Sequence, residues 1–92
     1  MLHEERNSVS EKTHNMKRAI DSLREELEAV DWYAQRADAC DDPELKKILV
    51  HNMNEEKEHA AMLIEWLRRN DEVFAKEIAD YVNSEGEIAK EK

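Results

Sequence analysis

Along the first half of the chain the apolar residues keep one rhythm. Met16, Ile20, Leu23, Leu27, Val30, Ala34 and Ala37 follow one another at steps of 4, 3, 4, 3, 4 and 3. Alternating steps of three and four keep side chains on one line of an α-helix, so this stretch predicts a single helix of about 30 residues with one apolar seam. Ser8 followed by Glu11 has the spacing of a capping box and predicts the helix start. Residues 1–8 carry no sustained period and are expected to fray. With one glycine and one proline in 92 residues, the chain has few places to turn sharply.

One such place is "CDDPEL". Asp42 suits an N-cap, and Pro43 suits the first helical position, where its missing N–H would be unpaired anyway. A second helix is predicted from Pro43 to about Arg69, with the stripe Leu49, Met53, Glu56, Ala60, Leu63 and Leu67. "RRND" is read as its end, with Asn70 as a left-handed cap. Asp71 is expected to cap a short third helix over 72–82 that packs through Phe74, Ile78, Tyr81 and Val82. Residues 86–92, beginning at Gly86, are expected to fray. The whole chain reads as one domain, residues 1–92, all-α: an antiparallel two-helix hairpin plus a short C-terminal helix. A hairpin buries only one side of each helix, and a chain of this size is marginal alone. Pairing two hairpins into a four-helix bundle is the smallest closed core.

The net charge of −9, with 23 acids against 14 lysines and arginines, disfavours nucleic acid and anionic membranes as partners and concentrates cations. Cys40 is the single cysteine, so no disulfide framework exists and a reducing cytoplasm is expected; Cys40 itself reads as a bystander near a helix end. Neither a membrane-spanning run nor a signal peptide is visible, and the reading is of a soluble intracellular protein.

Against that background Glu56 is out of place, a carboxylate in the middle of an apolar stripe. With His59 it forms a Glu-x-x-His motif, "EKEH", whose two side chains share a helix face and can grip one metal ion. Di-iron carboxylate bundles take a glutamate from each of two helices and Glu-x-x-His from each of two others. Here one Glu-x-x-His is present. Glu26, flanking Leu23 and Leu27 at a similar distance from the hairpin turn, fits as the lone glutamate. That is half of a site, and a second copy would supply the rest. Four carboxylates from two copies would neutralise two Fe²⁺, and this donor set suits iron or manganese better than structural zinc. The plainer alternative is a solvated acidic run with no metal. A rival face, His51, Glu55 and His59 at i, i+4 and i+8, could hold a lone zinc. Trp32 falls on an outer face with Glu25 and Glu28, which fits either a transient cation site or an isolated exposed aromatic. Tyr33 projects toward the Glu26 side and could hydrogen-bond a ligand carboxylate or simply pack.

The blocks "EELEAVDWYAQRADA" at 25–39 and "DPELKKILVHNMNEEKEHAAMLIEWLRRND" at 42–71 closely resemble the encapsulated ferritins, small ferritin-like proteins packaged in encapsulin nanocompartments. The resemblance covers roughly residues 14–86. It implies a ferritin-like four-helix bundle made by dimerisation, with a di-iron ferroxidase centre between two subunits. It further implies a decameric ring of dimers in a bacterial or archaeal cytoplasm, inside an encapsulin shell that receives the mineral. Carried onto this sequence, it makes Glu26, Glu56 and His59 the iron ligands and Tyr33 the tyrosine near them. Glu25 and Glu28 become an outer site through which metal enters, with Trp32 beside it. Calcium, zinc or manganese could substitute for iron. One departure is that the family's C-terminal extension with its encapsulation peptide is not visible before Lys92. Either it is removed from this chain or packaging works differently. The expected reaction is oxidation of Fe(II) to Fe(III) by O₂ or peroxide, with the Glu56 pair bridging two irons. The alternatives are a metal-free helical interaction module and another di-iron or di-manganese oxidoreductase.

Overall fold

A computed structural model describes residues 1–89. It contains a short 3-10 turn, Arg6–Ser8, and three α-helices: α1 (Glu11–Ala39), α2 (Pro43–Asn70) and α3 (Glu72–Tyr81). The described residues include no strand, and the all-α architecture expected from the apolar rhythm is the one adopted.

The helix limits follow their caps. The Asp42 carboxylate accepts the Leu45 backbone N–H at 3.0 Å, with Pro43 opening α2. The Asp71 carboxylate accepts the Phe74 N–H at 2.8 Å and starts α3. Each such bond satisfies one of the donors a helix start leaves without an intrahelical partner. The start of α1 differs from expectation. Its N-cap is Ser10, whose hydroxyl accepts the Thr13 N–H at 3.2 Å. Ser8 instead closes the 3-10 turn, which is tied to α1 where His14 Nε2 donates to the Arg6 carbonyl at 3.0 Å. Two serines two residues apart could each cap; once the turn takes Ser8, Ser10 is the one left to cap.

The end of α2 also departs from expectation. Asn70 stays helical and its side-chain amide donates to the Trp66 carbonyl at 2.8 Å, which satisfies one orphan acceptor without a left-handed residue. Asp71 follows at φ −145°, and the chain enters α3 directly. The positive φ values come later, at Asn83 (62°) and Gly86 (85°). Of the tail expected to fray, residues 90–92 lie outside the described residues.

Through the short link Cys40–Asp42, α1 returns as α2 and the two pack along their length; α3 packs on α2. The core is slender. Ala19 and Ala37 of α1 and Ala60 and Leu67 of α2 are buried, as is His14. Alanines at these contacts let the two backbones approach closely but leave little apolar volume inside. The seam of α1 is only partly covered: Leu27 is 53% exposed and Ile20 42%. The packing face expected for α3 is thinner still, since no α3 residue is buried and Phe74 remains 39% exposed.

Candidate metal centre

Glu26 lies fourteen residues before Cys40, and Glu56 lies fourteen after Asp42. At about 1.5 Å of rise per residue both sit about 21 Å from the turn, so antiparallel packing brings them side by side. His59, one turn beyond Glu56 on α2, joins them. His59 Nδ1 is 3.3 Å from Glu26 Oε2 and 3.4 Å from Glu56 Oε2. One ligand atom from each of the three residues lies within 4.8 Å of the others.

The donor set can be tested against a metal. Bonds of about 2.0–2.2 Å from oxygen and imidazole nitrogen to one ion put neighbouring ligand atoms about 3 Å apart and opposite ones about 4 Å apart. A small inward rotation of the side chains reaches that range. Without an ion, one imidazole nitrogen between two carboxylate oxygens can satisfy them only through a single shared proton. A cation could satisfy all three groups at once, so the residues fit.

The cluster is also open. The Glu26 and Glu56 side chains are 23% and 24% exposed and that of His59 is 42% exposed. Three donors from one chain do not enclose an ion that prefers about six oxygen or nitrogen ligands.

The other residues singled out in the sequence go elsewhere. His51 pairs with Glu55 at 3.7 Å on the exposed surface, while His59 turns toward the cluster, so the rival triad does not assemble. Among the described residues, Glu26, Glu56 and His59 are the one group of at least three such side chains close enough to share an ion. Cys40 caps α1, its Sγ donating to the Asp42 carbonyl at 3.6 Å. Glu25 and Glu28 are exposed, and Trp32 is 48% exposed. Tyr33 is half-buried and meets the Arg36 guanidinium, 5.6 Å from its ring centre, rather than a cluster carboxylate. Arg36, which the sequence reading passed over, also lies 5.8 Å from the centre of the Trp32 ring. Its spacing, i+4 from Trp32 and i+3 from Tyr33, is the signal that could have found it.

Fold and cluster together define a small all-α protein whose helical hairpin carries a carboxylate–imidazole group on an open face. The chain belongs to the EncFtn-like family, whose family model matches residues 1–85. It is 58% identical over 86 residues to an encapsulated ferritin-like protein of Rhodospirillum rubrum, covering 94% of this chain and 61% of that one. A ferritin-like protein of Thermotoga maritima is 53% identical over 68 residues, 74% of this chain and 60% of the relative. An encapsulin nanocompartment cargo protein of Myxococcus xanthus is 44% identical over 50 residues, 54% of this chain and 38% of the relative. The chain thus spans about three-fifths of the length of the first two relatives and less of the third. A crystal structure of a protein from Nitrosomonas europaea superposes with a TM-score of 0.92 at 57% identity, covering 97% of this chain and 98% of that one. No helix among the described residues is long and apolar enough to cross a membrane.

Proposed function

We propose that the protein is a ferroxidase whose di-iron centre forms between two copies of the chain. The observation that carries this reading is the convergence of Glu26, Glu56 and His59 to within 4.8 Å on an open face. Two such faces brought together offer four carboxylates and two imidazoles, enough for two divalent ions at neutral net charge. The apolar residues left uncovered along the same seam, Ile20 and Leu27, supply a reason for two copies to meet there.

The roles divide by residue. Glu56, centred on the α2 stripe, would hold iron jointly with its symmetry mate. Glu26 and His59 hold each iron from the flank. Hard carboxylate oxygens favour the Fe(III) product over Fe(II), which lowers the free energy of oxidation. Two Fe(II) substrates give up one electron each, and O₂ takes both with two protons to leave hydrogen peroxide; peroxide as oxidant would yield water instead. Tyr33, one heptad beyond Glu26, lies on the approach to this centre. Glu25 and Glu28 with Trp32 collect Fe(II) on the outer face of α1. The names of its relatives support iron handling inside an encapsulin shell; a ring of dimers is the assembled form that goes with this reading.

The test is Fe(II) oxidation by the purified assembly, followed optically, with bound metal counted by elemental analysis. Iron bound per chain and oxidation, both lost on substitution of the three ligands, support the reading. Protein that binds no metal after exposure to Fe(II) is the helical interaction module instead.

A further inference from the structure

Arg36 stands on the boundary between the two faces of α1. Glu25, Glu28, Trp32 and Arg36 continue one stripe at steps of 3, 4 and 4, and Tyr33 lies one heptad beyond Glu26 on the neighbouring stripe. The Arg36 guanidinium is 5.8 Å from the centre of the Trp32 ring and 5.6 Å from that of Tyr33. In a chain with 23 acids, this arginine makes no ion pair or side-chain hydrogen bond among the described residues. A cation in the last turn of a helix already complements the helix dipole, but that role sets no requirement on the two rings. Contact with both rings does. A planar guanidinium can lie against aromatic faces, whereas a lysine ammonium is a compact charge on a flexible stem.

We propose that Arg36 is a positioning residue that clamps the Trp32 ring to the Tyr33 ring, fixing the passage from the outer acids to the Glu26 side of α1. Trp32 is 48% exposed and is free to change rotamer once the clamp is gone. The clamp acts on capture of Fe(II), not on its conversion, because Arg36 lies ten residues from Glu26 and touches none of the cluster. This rests on the ferroxidase reading above.

The experiment uses the assembled full chain in a Trp66→Phe background, which leaves Trp32 as the one emitting tryptophan of the two. Arg36→Gln and Arg36→Lys are compared with this parent by acrylamide quenching without iron and by oxidation rate over a range of Fe(II) concentration. Both variants should quench more readily. Both should show KM for Fe(II) raised about two- to fivefold, the size of one exposed cation–π contact, with kcat unchanged. Unchanged quenching overturns the clamp. Increased quenching at unaltered KM overturns its role in the reaction, as does a fall in kcat at constant KM. Full rescue by Arg36→Lys overturns it too, since charge alone would then suffice. A parent that oxidises no Fe(II) overturns the ferroxidase reading and the kinetic role with it, while quenching still decides whether the clamp exists.

Discussion

Glu25 and Glu26 are neighbours in the chain and identical in chemistry, yet they belong to different regions of the molecule. One residue of helix is a rotation of about 100°, enough to turn Glu25 to solvent and Glu26 toward α2. Glu26 meets His59 at 3.3 Å and is 23% exposed; Glu25 is exposed and meets no partner among the described residues. The inner face gathers donors from two helices at fixed distances. The outer face has acids from one helix only, with Trp32 and Arg36 beside them. An acid on a single helix can raise the local concentration of a cation, while holding one requires convergence from more than one element.

That contrast can be broken most directly at the inner face. Removing a group that merely supports a metal ligand costs roughly ten- to a hundredfold, so removing a ligand costs more. Glu26→Ala, Glu56→Ala and His59→Ala are each expected to lower the Fe(II) oxidation rate by at least about a hundredfold at unchanged helicity by circular dichroism. Wild-type rates in all three would remove the centre from this face.

Leu27 tests whether the inner face needs a second copy. Placing a charge at this 53% exposed seam position should leave the hairpin folded. In a paired state the same charge would be buried without a partner, at a cost of roughly 3 kcal/mol or more. Sedimentation of Leu27→Asp should therefore show smaller species than wild type, with oxidation falling in parallel. Full assembly of this variant would move the interface elsewhere.

The outer face should respond more weakly and only when iron is scarce. Glu25→Ala with Glu28→Ala is expected to slow oxidation about three- to tenfold at low Fe(II), the scale of local cation enrichment, and to match wild type at saturation. A loss at saturating iron as well would erase the distinction between the faces.

The smallest effect is expected at an acid that belongs to neither face. Glu65 accepts from Arg68 and Arg69 at 2.6 Å, and these hydrogen bonds, that from Arg68 first, hold its carboxyl at about 2 against an ordinary 4.5. The folded value is depressed, so the contribution to stability is present above about pH 4.5 and lost as the pH falls toward 2. Melting temperature in that window should fall less steeply for Glu65→Gln than for wild type, by a small margin that salt reduces, while Fe(II) oxidation stays unchanged. Equal slopes would show that the arginine pairing is not maintained in solution.

Much of the fold was legible because it is local. Asp42, Pro43 and Asp71 mark helix starts through bonds that span three residues, and such bonds form wherever those residues stand. Local signals misled where two groups, on neighbouring residues or on one residue, could do the same job. Ser8 and Ser10 both qualify as caps, and the choice fell to the His14–Arg6 contact. Asn70 could satisfy a carbonyl through its side chain as well as through a left-handed backbone, and the side chain took it. Arg36 is harder to read, because a charge on a helix is ordinarily solvated, and its spacing from Trp32 and Tyr33 permits contact with the rings without requiring it.

The sequence by itself determined the three helices, the turn between α1 and α2, and the oddity of Glu56 on an apolar stripe. Each is a matter of helical period or of capping within a few residues, so no distant contact is needed to decide it. Equal distance from the turn already pointed to Glu26 as the partner of Glu56, thirty residues away, but only the tertiary structure decided how closely they meet and that His59 turns to this pair rather than to His51 and Glu55. It also decided how little of the seam one hairpin covers. The reason is geometric. Period assigns each residue to a face of its own helix, but which face meets which depends on how two helices cross and where their turn sets the register.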